Sequence, residues 1–251
     1  MDAVCYGFKL FGQIGSDEFD TVLSQFKSYG LAESTKSIRS IAFGWSRCYI
    51  IFEDGSCWKY TLNKEWVKLD NLIPADMKKT NLHIIDLETS DYLHLAVTNE
   101  GHLFDFLLHF SAPFPAKVKK ASCGYEHYLC LLENGSVFVW GSGSRGQLGN
   151  GSLNAVEQPE LLVPLDGLIV VDIDAGGWHS AAVTINGDLY TWGWNNFGQL
   201  GLHSEEKITD ESDDSCITVS SEPQPISYFD DSHVFKQVAC GVNHTLVLMG
   251  E

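Results

Sequence analysis

Arginine is scarce in this chain of 251 residues: Arg39, Arg47 and Arg145 are its only three. With 33 acidic against 16 basic residues the formal net charge is −17. A protein that grips nucleic acid directly neutralises phosphates with lysine and arginine. This chain lacks that basic surface apart from the small cluster Lys117, Lys119 and Lys120, so no direct nucleic-acid binding is expected. Long apolar runs are missing too, none approaching the ~20 residues of a membrane-spanning helix. Met1–Gly7 has neither the basic start nor the apolar core of a secretion signal. The seven cysteines include no C-x-x-C pair. Cys123 and Cys240 share one repeat position, held by Ala175 and Phe43 in sister copies, which marks a small buried site rather than a disulfide or a metal ligand. The pattern fits a reducing compartment, cytosol or nucleus. Helical periodicity of useful length is also absent; Asp17–Tyr29 is the one candidate for a short amphipathic helix, with a loop as the alternative.

What the chain does have is a repeat. Cys123–Gly151 and Ala175–His203 are near copies, with glycine, histidine, turn glycine, tryptophan and Gly-Gln-Leu-Gly at identical offsets: Gly124/Gly176, His127/His179, Gly135/Gly187, Trp140/Trp192, Gly146–Gly149/Gly198–Gly201. Weaker copies start at Gly44, with Arg47 in the histidine position, and at Ser90, and another at Gly241 with His244. Tyr6-Gly7 followed by Gly12-Gln13-Ile14-Gly15 reads as the second half of a unit whose first half stands at the C-terminus. Self-similarity at a fixed period decides the architecture before any single motif is weighed.

Each unit carries two alternating runs around a turn. Asn134-Gly135 and Asn186-Gly187, with the variants Asp54-Gly55 and Glu100-Gly101, predict two-residue type I′ hairpins. A further apolar run precedes each Gly-x-x-His (Ile38–Phe43, Ile169–Ile173, Phe235–Ala239), and proline-marked segments, Gln158–Val163 and Glu222–Ile226, read as outer edge strands. Four short strands per unit, stacked radially, make an all-β chain and a β-propeller. We count five blade equivalents in a single domain spanning 1–251, the last blade closed by pairing Phe235–Met249 with Cys5–Ile14 so that no edge strand is left open. The acidic stretch around Glu205–Asp214 lies in an insertion at 203–221, either a solvated loop or a docking loop for a basic partner.

Residues recurring once per blade are read as structural. His127, His179 and His244 are expected to be buried and bonded to backbone within their own blade, anchored by Gly124, Gly176 and Gly241; Trp140 and Trp192 are expected to fill the wedge between blades. No H-E-x-x-H or comparable ligand spacing points to a metal or a catalytic centre, so none of either and no cofactor is expected. The glycines at 146, 149, 198 and 201 lack the Lys-Ser/Thr ending of a phosphate loop. Residues that break the repeat are the candidates for function. Trp178 differs from its sister positions, and Trp194-Asn195-Asn196-Phe197 replaces Ser142-Gly143-Ser144-Arg145. Aromatics and arginine on loops of a rigid scaffold are the residue types of interface hot spots, making Trp178, Trp194, Asn195, Asn196, Phe197 and Arg145 the candidate partner-binding set. The alternative is that Trp178 and Trp194 cover the end of their own blade.

Gly-x-x-His, a turn glycine, aromatic-Trp-Gly and Gly-Gln-Leu-Gly together resemble the regulator of chromosome condensation repeat, most specifically across Cys123–Gly201. The run Asp174–Leu202, the acidic insertion and Tyr6–Gly15 look more narrowly like family members that partner a JmjC-domain oxygenase. That resemblance implies a seven-bladed or similar monomeric propeller in the nucleus. It also implies a non-catalytic scaffold role in chromatin regulation and chromosome segregation, the cytoplasm being compatible as well. The arginine that is a candidate oxygenase substrate in such members has no counterpart in Leu107–Lys120. The founding members' activity, nucleotide exchange on a Ran-like GTPase, is the alternative function. A piece of a ubiquitin ligase with similar repeats is a third.

Overall fold

In the computed structural model the described residues are 36–43, 48–60, 66–69, 72–73, 82–90, 93–105, 110–111, 113–202, 217–227 and 234–250. They form strands, with one short 3-10 turn at Val163–Leu165. The chain divides into two compact units, Met1–Ser111 and Ala112–Glu251.

The first unit holds two antiparallel four-stranded sheets. One is β1 (Ile38–Phe43), β2 (Cys48–Phe52), β3 (Cys57–Tyr60) and β4 (Trp66–Lys68); the other is β5 (Ile84–Thr89), β6 (His94–Thr98), β7 (Leu103–Asp105) and β8 (Phe110–Ser111). The second unit repeats the plan with β9 (Val118–Cys123), β10 (His127–Leu132), β11 (Val137–Gly141) and β12 (Val156–Leu161), and again with β13 (Val170–Ala175), β14 (His179–Thr184), β15 (Leu189–Trp194) and β16 (Val219–Pro225). A two-stranded sheet, β17 (Val234–Cys240) and β18 (Thr245–Gly250), completes the described strands. Sequential strands are neighbours throughout, the up-and-down blade of a propeller; four of the five expected blade equivalents are complete, and β17 and β18 are the described half of the fifth. The proline-marked segments are edge strands, as their missing N–H groups require. Strand β16 begins at Val219, so the last three positions assigned to the acidic insertion belong to a blade; positions 203–216 lie outside the described residues. So do the helix candidate Asp17–Tyr29, the strand Cys5–Ile14 proposed to close the last blade, and Gly44 and Arg47.

The hairpin turns differ from expectation. In each of the four complete blades the loop holds three residues: Leu132 N–H reaches Ser136 O at 2.9 Å and Gly135 N–H reaches Leu132 O at 3.0 Å, with the same pair of bonds at Thr184–Asp188, Phe52–Ser56 and Thr98–His102. Glycine takes the left-handed position closing a type I turn, with φ of +87° at both Gly135 and Gly187. The extra residue has a use. Its N–H bonds to the residue just before the inner strand (Glu133 to Lys117 O at 2.9 Å, Ile185 to Ile169 O at 2.8 Å), and the glycine carbonyl accepts an N–H at the start of the next blade's inner strand (Val170 to Gly135 O at 3.2 Å, Phe235 to Gly187 O at 3.1 Å). A two-residue turn would offer neither contact.

All five inner strands carry a register shift at an equivalent place, between Ile38/Ser40, Ile84/Asp86, Val118/Lys120, Val170/Asp172 and Phe235/Gln237. A bulge there bends the strand and re-aims its second half, and polar side chains beyond it cross to the neighbouring blade. Ser40 Oγ donates to Asp86 at 2.8 Å, and Lys120 pairs with Asp172 at 2.8 Å. Asp174 accepts from Ser122 Oγ at 2.6 Å and from the Cys240 N–H at 2.6 Å, tying three successive blades. Burial pushes the Asp174 carboxyl above its ordinary range, and those two hydrogen bonds oppose the shift. The second strands of the four complete blades are buried on both faces. Period-2 alternation sends Leu129 and Leu131 of β10 into one core with Val170, Ile173 and Trp192, while Ala181 and Val183 of β14 join Phe235 and Val238 in the next.

Replacing Asp174 by Ala is expected to lower unfolding free energy by about 2 kcal/mol, the cost of leaving the Cys240 N–H and Ser122 hydroxyl without an acceptor. Denaturant melts at pH 7.5 check this, and an unchanged midpoint would show the carboxylate to be dispensable.

Candidate functional site

The Gly-Gln-Leu-Gly motif builds the rim. After β11 the chain makes two consecutive turns, Gly146 N–H to Gly143 O at 2.8 Å and Gly149 N–H to Gly146 O at 3.0 Å. A Cβ on Gly149 would stand 2.6 Å from Trp192 Nε1, so the next blade's indole lies where a side chain would be. Leu148 is buried in the core. The Gln147 side chain is buried and its Oε1 accepts the Arg145 N–H at 2.8 Å. In the following blade Gln199 Oε1 accepts the Phe197 N–H at 2.9 Å in the same way. The motif therefore fixes the backbone of the residue two places before its glutamine and leaves that residue's side chain free to vary.

The same glutamine's carbonyl receives the next blade. Trp192 Nε1–H donates to Gln147 O at 2.9 Å, and so does Ser180 Oγ–H at 2.9 Å. Ser180 Oγ lies 2.9 Å from His127 Nε2. A carbonyl only accepts, so the serine proton points to Gln147 and the histidine proton sits on Nε2. One blade later His179 Nε2, Thr245 Oγ1 and Gln199 O repeat the relay at 3.0 and 2.8 Å. This corrects the expectation for the histidines, which bond across blades to a hydroxyl rather than to backbone within one. His127 and His179 are fully buried, whereas His244 is exposed. Each Nδ1 of the buried pair lacks a partner, and Gly124 and Gly176 are glycine because a Cβ there would collide with the ring. Burial, aided by the neighbouring histidine, lowers His127 to about 3 and His179 to about 4. Trp192 is fully buried in the core it shares with Leu129, Leu131 and Val170; Trp140 is buried in a stack on Tyr128, ring centroids 4.7 Å apart, with Phe114 beside it at 6.3 Å.

On this frame the sequence-selected rim residues converge. Arg145, from the loop after β11, lies with its guanidinium carbon 4.2 Å from the Trp178 ring centroid and 4.7 Å from that of Trp194. The two indoles stand at 87° to each other, 5.5 Å apart, and form the walls of a corner. Phe197 continues the row at 5.3 Å from Trp194 and is 63% exposed. Tyr125 ends it at 4.9 Å from Trp178. Asn196 is exposed next to Phe197. Asn195 is placed otherwise: it is buried, its Oδ1 accepting from Leu200 N–H at 2.8 Å and its Nδ2 donating to Ile217 O at 2.7 Å, so it shapes the loop rather than the surface. Sequence reasoning passed over Tyr125. Its signal was an aromatic residue standing where the next copy has the second glycine of a Gly-Gly pair, and its ring edge lies 3.4 Å from where a Gly177 Cβ would be. Among the described residues no group of three or more histidine, cysteine or acidic side chains is placed to hold a metal ion, and no helix is long and apolar enough to cross a membrane.

Four-stranded antiparallel blades with glycine turns, keyed through a histidine, a hydroxyl and a tryptophan between the sheet of β9–β12 and that of β13–β16, and through a histidine and a hydroxyl between the latter and β17–β18, define a repeat-built β-propeller. The profile of the regulator of chromosome condensation (RCC1) repeat matches residues 134–183 and 186–248, and a second profile of that repeat matches 118–147 and 170–199; together they span 118–248, more than half of the 251 residues. The chain belongs to the RCC1 repeat family. RCC1 domain-containing protein 1 of Homo sapiens is 46% identical over 94 residues, 38% of this chain and 25% of that protein, so the match spans a quarter of that relative. Human WBSCR16 is similar in fold, with a TM-score of 0.73 at 22% identity over 98% of this chain and 66% of the other. Yeast RCC1 (Prp20), solved bound to Kap60, gives 0.74 at 21% identity over 99% and 62%. Another structure of Prp20p from Saccharomyces cerevisiae, described with its binding properties to Gsp1p and histones, gives 0.67 at 22% identity over 86% and 56%.

The buried neutral imidazoles dictate a response to acid. Their folded pKa values lie below the ordinary ~6.5, so the unfolded chain takes up protons first. Stability is complete above about pH 6.5 and falls toward pH 4 by about 1.4 kcal/mol per pH unit for each histidine. Denaturant melts between pH 7 and 5 should show this slope, and His179→Gln should make it shallower by about 1.4 kcal/mol per pH unit. An unaltered slope in that variant would mean that His179 is protonated in the folded protein.

Proposed function

We propose that the chain is a non-catalytic interaction scaffold that binds and modulates a chromatin-associated JmjC-domain histone demethylase or hydroxylase, acting in the nucleus in chromatin regulation and chromosome segregation. The observation that carries the scaffold reading is the rim row Tyr125–Trp178–Trp194–Phe197 with Arg145 in its corner. It presents large aromatic surface and a guanidinium on loops fixed by buried hydrogen bonds, the composition of an interface hot spot. The partner class rests on the resemblance of Tyr6–Gly15 and Asp174–Leu202 to family members that bind such oxygenases.

A second reading is nucleotide exchange on a Ran-like small GTPase, favoured by the likeness to Prp20p and its described binding to Gsp1p. The net charge of −17 is compatible with the acidic rim loops that exchange would use.

A pull-down from nuclear extract with the whole chain as bait separates the two. A JmjC-domain oxygenase is expected among the retained proteins, reduced about tenfold or more by Trp178→Ala, the range for a central aromatic hot spot. Retention of a Ran-like GTPase instead, with accelerated nucleotide release in a purified assay, would replace the scaffold reading by the exchange reading.

A further inference from the structure

We infer that Arg145, set in the corner between Trp178 and Trp194, is the receptor for a carboxylate side chain on an acidic, apolar-flanked segment of a protein partner. The inference deepens the scaffold reading and rests on it.

Arg145 is half-buried, and no acid pairs with it among the described residues. Four other cations meet oxygen: Lys36 pairs with Asp54 at 2.6 Å, Arg39 with Glu53 at 3.2 Å and Lys120 with Asp172 at 2.8 Å, and Lys119 donates to the Val171 carbonyl at 3.0 Å. Acidic residues outnumber basic ones 33 to 16, so a pairing partner was readily available to selection. The Arg145 side chain instead contacts two aromatic faces, and among the described residues no carboxylate or carbonyl receives its guanidinium. Stacking on indoles orients a guanidinium without consuming any of its five N–H donors. Two walls at 87° fix its position from two directions, leaving the remaining sides for a ligand. A planar, pre-oriented fork of donors matches a carboxylate bidentately.

Folding does not require arginine at this position. The repeat-equivalent residue is Phe197, and both residues are held through their backbone N–H by the glutamine side chain. Arg145 and Phe197 are thus two variable side chains presented by the same fixture in adjacent blades. Phe197, 63% exposed at the end of the aromatic row, supplies an apolar contact next to the cation. The occupant that fits is a segment with a carboxylate for Arg145 and an apolar side chain for Phe197. The chain's charge of −17 disfavours acidic ligands in general, so capture of one reports the local site.

The test uses the full chain and a dye-labelled octapeptide of alternating Glu and Leu, with the Gln/Leu peptide as control, followed by anisotropy and by tryptophan emission at ~0.15 M salt. The Glu peptide should bind saturably and change the tryptophan emission, and the Gln peptide should bind at least about tenfold more weakly. Arg145→Ala should weaken the Glu peptide about tenfold or more. Arg145→Lys should weaken it several-fold, because an ammonium keeps the charge and loses the fork. Both variants should melt near the wild type, since the loop is held through its backbone. Equal affinity for the two peptides, or Arg145→Ala binding like the wild type, overturns the inference. Sedimentation showing a self-associated chain that Arg145→Ala dissociates also overturns it, by making a second copy the occupant. Oxygenase capture in the pull-down that Arg145→Ala leaves intact would overturn this site while the scaffold reading stands; peptide binding without oxygenase capture would do the reverse.

Discussion

The carbonyl oxygen of Gln147 is the point on which the second unit is hung. It accepts from the Trp192 indole and from the Ser180 hydroxyl, which in turn accepts from His127. One acceptor thereby joins the second strand of its own blade, the second and third strands of the next, and the loop between them. A carbonyl has two lone pairs and both are used. Both donors are buried with it, so either one left unpaired would carry the full cost of desolvation. The hydroxyl and histidine part of the arrangement recurs at Gln199, Thr245 and His179, which shows a rule of the repeat rather than an accident of one loop.

Several otherwise separate features have this common cause. Burial holds the two enclosed histidines neutral by penalising the charged ring, and the depressed pKa values express that desolvation. Glycine at 124 and 176 makes room for the ring, and glycine at 149 makes room for the indole. Hydrophobic packing could hold blades side by side in many registers, being non-directional. The relay, the turn carbonyls of Gly135 and Gly187, and the Asp174 carboxylate admit one register each.

Much of this was legible in the sequence, and the remainder was hidden for physical reasons. Strand order, the inner apolar runs and the proline-bearing edges are consequences of period-2 alternation and of proline's missing donor. Asn-Gly misled as to loop length, because a left-handed glycine serves a three-residue loop as well as a two-residue one; the choice was made by bonds to the residue before the inner strand and to the next blade, which are tertiary. The recurring histidines were recognised as structural, yet their partners lie 53 and 66 positions away and only the fold brings them together. A hydroxyl following His179 and His244 was the visible trace of that pairing, obscured by Tyr128 after His127. Asn195 shared its loop with exposed neighbours and could not be told from them, since an asparagine that satisfies a loop internally and one that faces solvent have the same local sequence. Arg145, Trp178, Trp194 and Phe197 were found because they break a repeat whose regular positions were already explained.

That last route has a structural basis. The relay and the glutamine side chain hold each rim loop through backbone atoms and buried groups, so the frame is indifferent to which side chains stand at positions such as 126 and 178 or 145 and 197. Glu126 and Arg145 occupy them in one blade, Trp178 and Phe197 in the next. Neighbouring blades then combine their choices, and the corner around Arg145 exists only because one blade contributes the cation and the other both indoles. A cation desolvated on two sides and given no acid is unfavourable for the isolated chain relative to one that is paired. The aromatic faces offset part of that cost, and a carboxylate from outside would offset the rest; among the described residues, the chain supplies none of its own.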